Sequence, residues 1–473
     1  MPPGKISAWR GRGLFKIAIS SISRMKKHIP RRDFIKLATA IASAGPFFSF
    51  SSRAFSNTKA LRIAKWAHLV PEYDTWFSTE LVKQWGEKNN TEVTVDMIPI
   101  ERVHSDAAAE VAAGHGHDLF MFPWPPAEFH PHAIDHTEIY QNASMKYGSV
   151  PQISYKSTFS PATKTHFAFA DFWIPCPVHY FQDLWADLNM PLGPVHYGSL
   201  RAGGQKIRDK YGIPCGFDFS PTLAGNITAN TLLYAFHGQI LGQEGNAVLN
   251  RTGYVVNALT YVKNLNREAG SPDEFSWGPS GNVQAMLARK TSCSMNAINL
   301  LRAAEKQSPD LAKRIKLMPP LLGVYGVTGF PHATNCSAVW KFAANQDGAK
   351  QFLVDLPNSS RVGYEKSLGC NFPAYPKVLP NLVVRLDKDP TADPPNKYYA
   401  LRDALHWTPN LGAPWLANPA WMEVFNTFVI PRMFASVVQN DVTPQDAAAA
   451  AQKEIADIVD KWKQTESAVA AKG

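Results

Sequence analysis

From Leu61 onward the chain alternates between two hydrophobic periods. Leu61-Arg62-Ile63-Ala64-Lys65-Trp66 alternates apolar and polar positions, which predicts a strand. A helix is predicted from near Asp74, because Trp76, Phe77, Leu81 and Trp85 follow at helical spacing. Glu92 to Ile98 alternates again. Arg102 to Ala113 is Ala-rich and predicts a helix that Gly114 stops, and Asp118 to Phe122 returns as a strand. This β-α-β-α-β order predicts a parallel sheet with covering helices. Ligands of such sheets sit beyond the carboxyl ends of the strands, here the loops after Trp66 and Phe122.

Phe167 to Phe181 is a second β-like run, interrupted by Pro175 and Pro177. Those prolines make it a poor central strand and suit it to a crossover between lobes. Helices are predicted over 200–211, 222–236, 254–267, 282–290 and 347–356. Strands are predicted over 315–317 and 337–342. The segment 373–395 is proline-rich loop, and an amphipathic helix spans 444–462 with Thr443 as N-cap. Trp85, Trp185, Trp340 and Trp462 sit at core spacing.

The first sixty residues have a different character. Arg31-Arg32-Asp33-Phe34-Ile35-Lys36 precedes a fourteen-residue uncharged stretch, Leu37 to Phe50, and then Ala54-Phe55-Ser56. Basic region, apolar core and small-residue site are the parts of a secretory signal. The paired arginine adds the twin-arginine address. The apolar stretch is too short for a permanent membrane span. Met25 ahead of the arginines is a second candidate start.

This leader changes what the charge means. The chain carries 48 Lys and Arg against 39 Asp and Glu, a net +9. Residues 1–56 hold 11 of those basic residues and one Asp, so the remainder has a net charge of −1. The basic excess belongs to the leader, and nucleic-acid binding loses its electrostatic support. A soluble exported body of about 417 residues is expected, too long for one core and therefore two-lobed.

Several chemistries lack their motifs. Cys176, Cys215, Cys293, Cys336 and Cys370 are scattered, which argues against a metal cluster. An oxidising compartment allows one or two disulfides, and buried free thiols are the simpler expectation. His115 with His117, and His130 with His132 and His136, lack the i, i+4 spacing and intervening Glu of a helical zinc site. Neither G-x-S-x-G nor a phosphate-cradling G-x-x-x-x-G-K-[ST] occurs. No enzyme activity, cofactor or metal is expected.

Six ordered segments resemble the family of extracellular solute-binding proteins that includes the maltose-binding type. The first is strand Leu61 to Trp66 followed by the helix with Trp85 and Glu87. Val111-Ala112-Ala113-Gly114 before His117-Asp118-Leu119 resembles a family turn in which Pro usually stands at the His117 place. Tyr180-Phe181-Gln182-Asp183-Leu184-Trp185 resembles the family's Tyr-Asn-Lys-Asp-Leu-Phe. Leu287 to Met295 is similar to a helix end running into a strand, with Lys290 where Gly is usual. Gln346 to Leu353 and Thr443 to Ala447 resemble two later helix starts. Pro194 to Leu200 departs from the family's Pro-x-Thr-Trp.

The resemblance implies an α/β periplasmic binding protein fold. Two lobes, each a mainly parallel sheet flanked by helices, close on a ligand between them. The expected division is a signal peptide at 1–56, a first lobe at 57–168 plus 325–375, and a second at 169–324 plus 376–473. It also implies a small-molecule ligand, an ABC permease pair in the inner membrane, a monomer, and no nucleic acid.

Sugars present hydroxyl edges and apolar faces, so their sites need aromatic rings and a few polar groups. The candidates are Trp66 and His68 after the first strand, and Phe122 and Trp124 after the third. Pro123, Pro125 and Pro126 stiffen that loop. Asp171 and Trp173 lie at the crossover, and Asn296 and Asn299 follow Met295. The resemblance implies stacking aromatics at Phe122 and Trp421. Competing readings are a polyamine binder using Asp171 and Asp218, a ferric binder using Tyr398-Tyr399, an exported cofactor-dependent enzyme, and a protein feeding a sensor kinase.

Overall fold

The computed structural model describes residues 59–324 and 326–470. The twin arginine, the apolar stretch and the small-residue site lie outside the described residues. Nine strands build two sheets: β1 (Lys59–Trp66), β2 (Thr91–Ile98), β3 (Leu119–Phe122), β4 (Phe169–Ile174), β5 (Val178–Phe181), β6 (Cys293–Met295), β7 (Ile315–Met318), β8 (Ala333–Val339) and β9 (Phe372–Pro373). The larger sheet runs β9-β4-β8-β3-β1-β2 and the smaller β6-β5-β7.

In the larger sheet β1 pairs parallel with β2 and β3, as the alternating elements predict. The edge strand β2 alternates exposed and covered residues, whereas the internal β3 is buried at all four positions. Helix α1 (Val103–Ala113) links β2 to β3 and stops at Gly114, whose φ of 69° is a left-handed C-cap. β8 returns antiparallel to both β3 and β4. Across β4 and β8 the register shifts: Asn335 faces Phe172, but Cys336 faces Ala170. Asp171 is the extra, bulged residue, a placement that re-aims a side chain.

The run Phe167 to Phe181 is two strands, not one weak one. β4 carries ladders on both sides, to β8 and β9. Pro175 and Pro177 fall just beyond its last paired residue, so no ladder donor is lost. Pro175-Cys176-Pro177 then carries the chain into β5 of the smaller sheet.

That smaller sheet departs from the mainly parallel expectation. β5 pairs antiparallel with β6 and β7. The reason is the route of the chain: β5 leads away from the larger sheet, whereas β7 leads back toward it and into β8. The α/β class stands, and the larger sheet is mixed.

Two hydrophobic clusters form around these sheets. The first holds Leu61, Ile63, Trp85, Phe120, Phe122 and Trp340. The second holds Phe181, Trp185, Leu232, Met286, Phe425 and Phe434, with Trp462 packed against it. Helix α2 (Gln152–Thr158) lies near β4. Helix α3 (Leu223–Ala235) starts at Thr222, whose hydroxyl caps Gly225 N. Helices α4 (Asn299–Gln307), α5 (Ala404–Trp407) and α6 (Pro419–Asn426) follow in the second cluster. The last helix, α7 (Pro444–Ala470), begins after Thr443, whose Oγ1 accepts from Asp446 N at 3.1 Å, as an N-cap does. All five cysteines are buried free thiols.

Candidate functional site

The carboxyl end of β1 is organised by one carboxylate. Asp74 accepts from Lys65 Nζ at 2.6 Å through Oδ1 and from His68 N at 2.8 Å through Oδ2. Lys65 is only 1 % exposed, and its ammonium also donates to Trp66 O at 2.9 Å. It lies 5.0 Å from the Tyr73 ring centroid. A buried lysine is rare unless paired, and this one is. Burial lowers its pKa, and Asp74 opposes that shift.

His68 is held as a neutral donor. Its Nδ1 accepts from Val70 N at 3.0 Å, so the proton sits on Nε2, which donates to Asn371 Oδ1 at 2.9 Å. Burial pushes its pKa down to about 3. The Asn371 amide is thereby oriented, and its Nδ2 is buried without a partner.

A second chain of hydrogen bonds joins β1, β8 and β4. Trp66 Nε1 donates to Asn335 Oδ1 at 2.6 Å, and Asn335 Nδ2 donates to Asp171 Oδ1 at 2.5 Å. An indole N–H only donates, so the Asn335 amide can face only one way. Burial pushes the Asp171 carboxyl up to about 7, against the hydrogen bond from Asn335.

Trp173 follows on β4, buried in the seam where the larger sheet meets the second cluster. It faces the Phe372 ring at 5.2 Å, and its Nε1 has no partner. Thr334 stands opposite it on β8, fully buried, with its Oγ1 unpartnered. In the segment that leads from β7 into β8, Gly329 N donates to Trp407 O at 3.0 Å. Trp407 Nε1 and Thr408 Oγ1 are likewise buried without partners.

Trp124 and Trp421 meet through one ring. Trp124, half-buried, packs on Phe425 of α6 at 5.8 Å, and Trp421 stacks on the same ring at 5.7 Å and 17°. Nearby, Asn426 Nδ2 donates to Glu128 Oε1 at 2.9 Å, and His104 Nδ1 stands 2.9 Å from that oxygen. The Glu128 hydrogen bond raises the His104 pKa. Trp421 also lines a narrow recess with Asn230, Tyr234 and Phe330.

The sequence candidates thus separate. Trp66, His68 and Asp171 share one polar network, with Trp173 at its margin, while Trp124 and Trp421 share Phe425. Phe122 sits in a core stack, 4.7 Å from Phe120 and 5.7 Å from Phe129. Asn296 closes a local turn, donating to Asn282 Oδ1 and accepting from Ala297 N. Asn299 Oδ1 is buried without a partner at the start of α4. Sequence reasoning missed Thr334, Asn335, Asn371, Trp407 and Thr408. Thr334 and Asn335 fall outside the strand expected over 337–342, which in the structure begins at Ala333, and nothing local marks their partners.

Other singled-out residues have local roles. Asp218 accepts from Ser220 and Thr222 at the start of α3, and burial pushes it up to about 6. Tyr398 Oη donates to Glu305 at 3.0 Å under the Arg302 guanidinium. His117 is clamped between Glu110 and Asp96, and His136 Nε2 accepts from Val339 N. Among the described residues no three His, Cys, Asp or Glu side chains group as a metal site.

This arrangement of two sheets joined by crossovers is the two-lobed periplasmic binding protein fold. No protein-family model matches the sequence, and no curated protein does. Solved structures do match. A maltose-bound MalE3 from T. maritima is 16 % identical at a TM-score of 0.68, covering 84 % of this chain and 98 % of its own. A sugar transporter protein from Arthrobacter chlorophenolicus A6 with bound laminaribiose is 13 % identical at 0.68, covering 84 % and 98 %. An ABC transporter solute-binding protein from Agrobacterium radiobacter K84 in complex with ribitol is 15 % identical at 0.63, covering 85 % and 98 %. The last two are described as a sugar transporter and an ABC transporter solute-binding protein.

Proposed function

We propose that this chain is the ligand-capturing component of an ABC importer, taking a carbohydrate or polyol from the periplasm by closing two lobes on it. One observation carries this reading: the Trp173 indole and the Thr334 hydroxyl, both buried without hydrogen-bond partners, stand opposite each other where β4 meets the second core. Sugars need both, a ring for the C–H face and a hydrogen-bonding atom for each hydroxyl edge. The neighbours with maltose, laminaribiose and ribitol support the same ligand class.

The first lobe is taken as 57–168 plus 325–375 and the second as 169–324 plus 376–473. Strand β4 is moved to the first because its ladders lie there. The partner is a permease pair in the inner membrane, and the binding protein works as a monomer. The polyamine reading is weaker, because Asp171 and Asp218 already have donors within the chain.

Thermal-shift and calorimetric screening with maltose, laminaribiose, ribitol, spermidine and ferric citrate tests the proposal. A ligand at 100 times its Kd stabilises the folded state by about 2.7 kcal/mol, a rise of a few degrees in Tm. A sugar or polyol is expected to give that rise. A response to spermidine or ferric citrate alone sinks the carbohydrate reading.

A further inference from the structure

We infer that Trp173 and Thr334 form a paired reading point for one oxygen-rich edge of an uncharged ligand. The inference rests on the sugar or polyol reading above and narrows it to two atoms, Trp173 Nε1 and Thr334 Oγ1.

The two residues face each other in register across β4 and β8. Directly opposed residues of an antiparallel pair project to the same face. Phe372 on β9 stands opposite Trp173 on its other side, its ring 5.2 Å from the indole. The row Phe372, Trp173, Thr334 therefore runs across three strands, an aromatic floor ending in a hydroxyl. Thr334 N donates to Pro123 O at 2.9 Å, which sets this end of the row beside the Trp124 loop.

Trp173 is 1 % and Thr334 0 % exposed, yet neither Nε1 nor Oγ1 has a hydrogen-bond partner. A buried donor left unpaired is costly, and native structures hold few of them. Here two lie side by side on one face at the seam with the second core. Both ladders fix their backbones, so the pair is preorganised.

The chemistry of the pair selects the ligand. The indole N–H only donates, while the threonine hydroxyl donates and accepts. One ligand hydroxyl can take the indole hydrogen on its oxygen and give its own hydrogen to Thr334, and two vicinal hydroxyls can share the same pair. Charge has no counterpart there: Asp171 is engaged by Asn335, and Lys65 by Asp74.

Thr334→Val removes its polar atom and keeps the shape, whereas Trp173→Phe removes the indole nitrogen together with buried ring atoms. Urea denaturation of ligand-free Thr334→Val should give a midpoint equal to or above wild type, since no internal bond is lost; Trp173→Phe, which also loses packing, serves the affinity comparison alone. Calorimetry with maltose, laminaribiose and ribitol should show each variant binding the wild-type probe about 3- to 10-fold more weakly, the effect of one hydrogen bond. A lowered urea midpoint for Thr334→Val would mean that its hydroxyl serves the fold, and overturns the inference. So does unchanged affinity in stable variants. If no probe binds wild type, the sugar reading itself has failed and the pairing falls with it; wild-type binding with unaffected variants fails the pairing alone.

Discussion

At the residue scale the main device is a buried carboxylate held by an amide. Asp171 is 5 % exposed, and burial raises its pKa to about 7. In the unfolded chain an aspartate titrates near 3.9. Above that pH the unfolded chain releases a proton that the folded chain keeps. Stability from this group therefore falls as pH rises from about 4 to about 7 and is flat beyond. Each pKa unit corresponds to about 1.4 kcal/mol, so the full effect is on the order of 4 kcal/mol. Asp171→Asn removes the titration and can still offer an oxygen to Asn335. Its stability relative to wild type should climb between pH 4 and pH 7 in urea titrations; parallel curves across that range would refute the assignment.

Sequence reasoning found Asp171 but not what holds it. The residue looked like a ligand carboxylate, and the structure ties it into a chain reaching Trp66. Asn335, the central link, is 269 positions from Trp66 and 164 from Asp171. No local pattern announces a contact over that separation. Phe122 teaches the converse: the end of a strand is the right place for a ligand-facing ring, yet this ring packs between Phe120 and Phe129.

At the scale of elements, most strands and helices were legible because their periods are strong. β1, β2, β3, α1 and α7 stand within a few residues of their expected places, except that α7 runs on to Ala470. Proline was the misleading signal in the run Phe167 to Phe181, since a proline just past a strand spoils nothing. The seam itself depends on α6. Phe425 is 3 % exposed and carries Trp421 on one side and Trp124 on the other. Phe425→Ala should cost about 3 to 5 kcal/mol, the range for deleting a buried aromatic ring. Guanidinium unfolding measures it, and a loss below about 1 kcal/mol would show that the ring is not a keystone of that contact.

At the scale of the whole molecule, charge divides unevenly along the chain. The first 56 residues carry +10 and the rest −1. Among the described residues no helix is long and apolar enough to cross a membrane. We propose export by the twin-arginine route, which would depend on Arg31 and Arg32. Replacing Arg31 and Arg32 together by Lys keeps the charge and removes the paired guanidinium groups. The precursor should accumulate in the cytoplasm with the mature form lost from periplasmic fractions; undiminished mature protein there would place the address elsewhere.

The sequence by itself determined the alternation of strands and helices, the charge asymmetry and the two-lobed α/β class. These are properties of local period and composition, and they survive whatever the distant parts of the chain do. Only the tertiary structure decided which aromatic rings pack in a core and which reach the seam, and which polar atoms find partners. Periodicity tells which positions share a face, not which face of another element it meets. Trp173 and Thr334 lie 161 positions apart in the sequence and stand opposite each other on neighbouring strands.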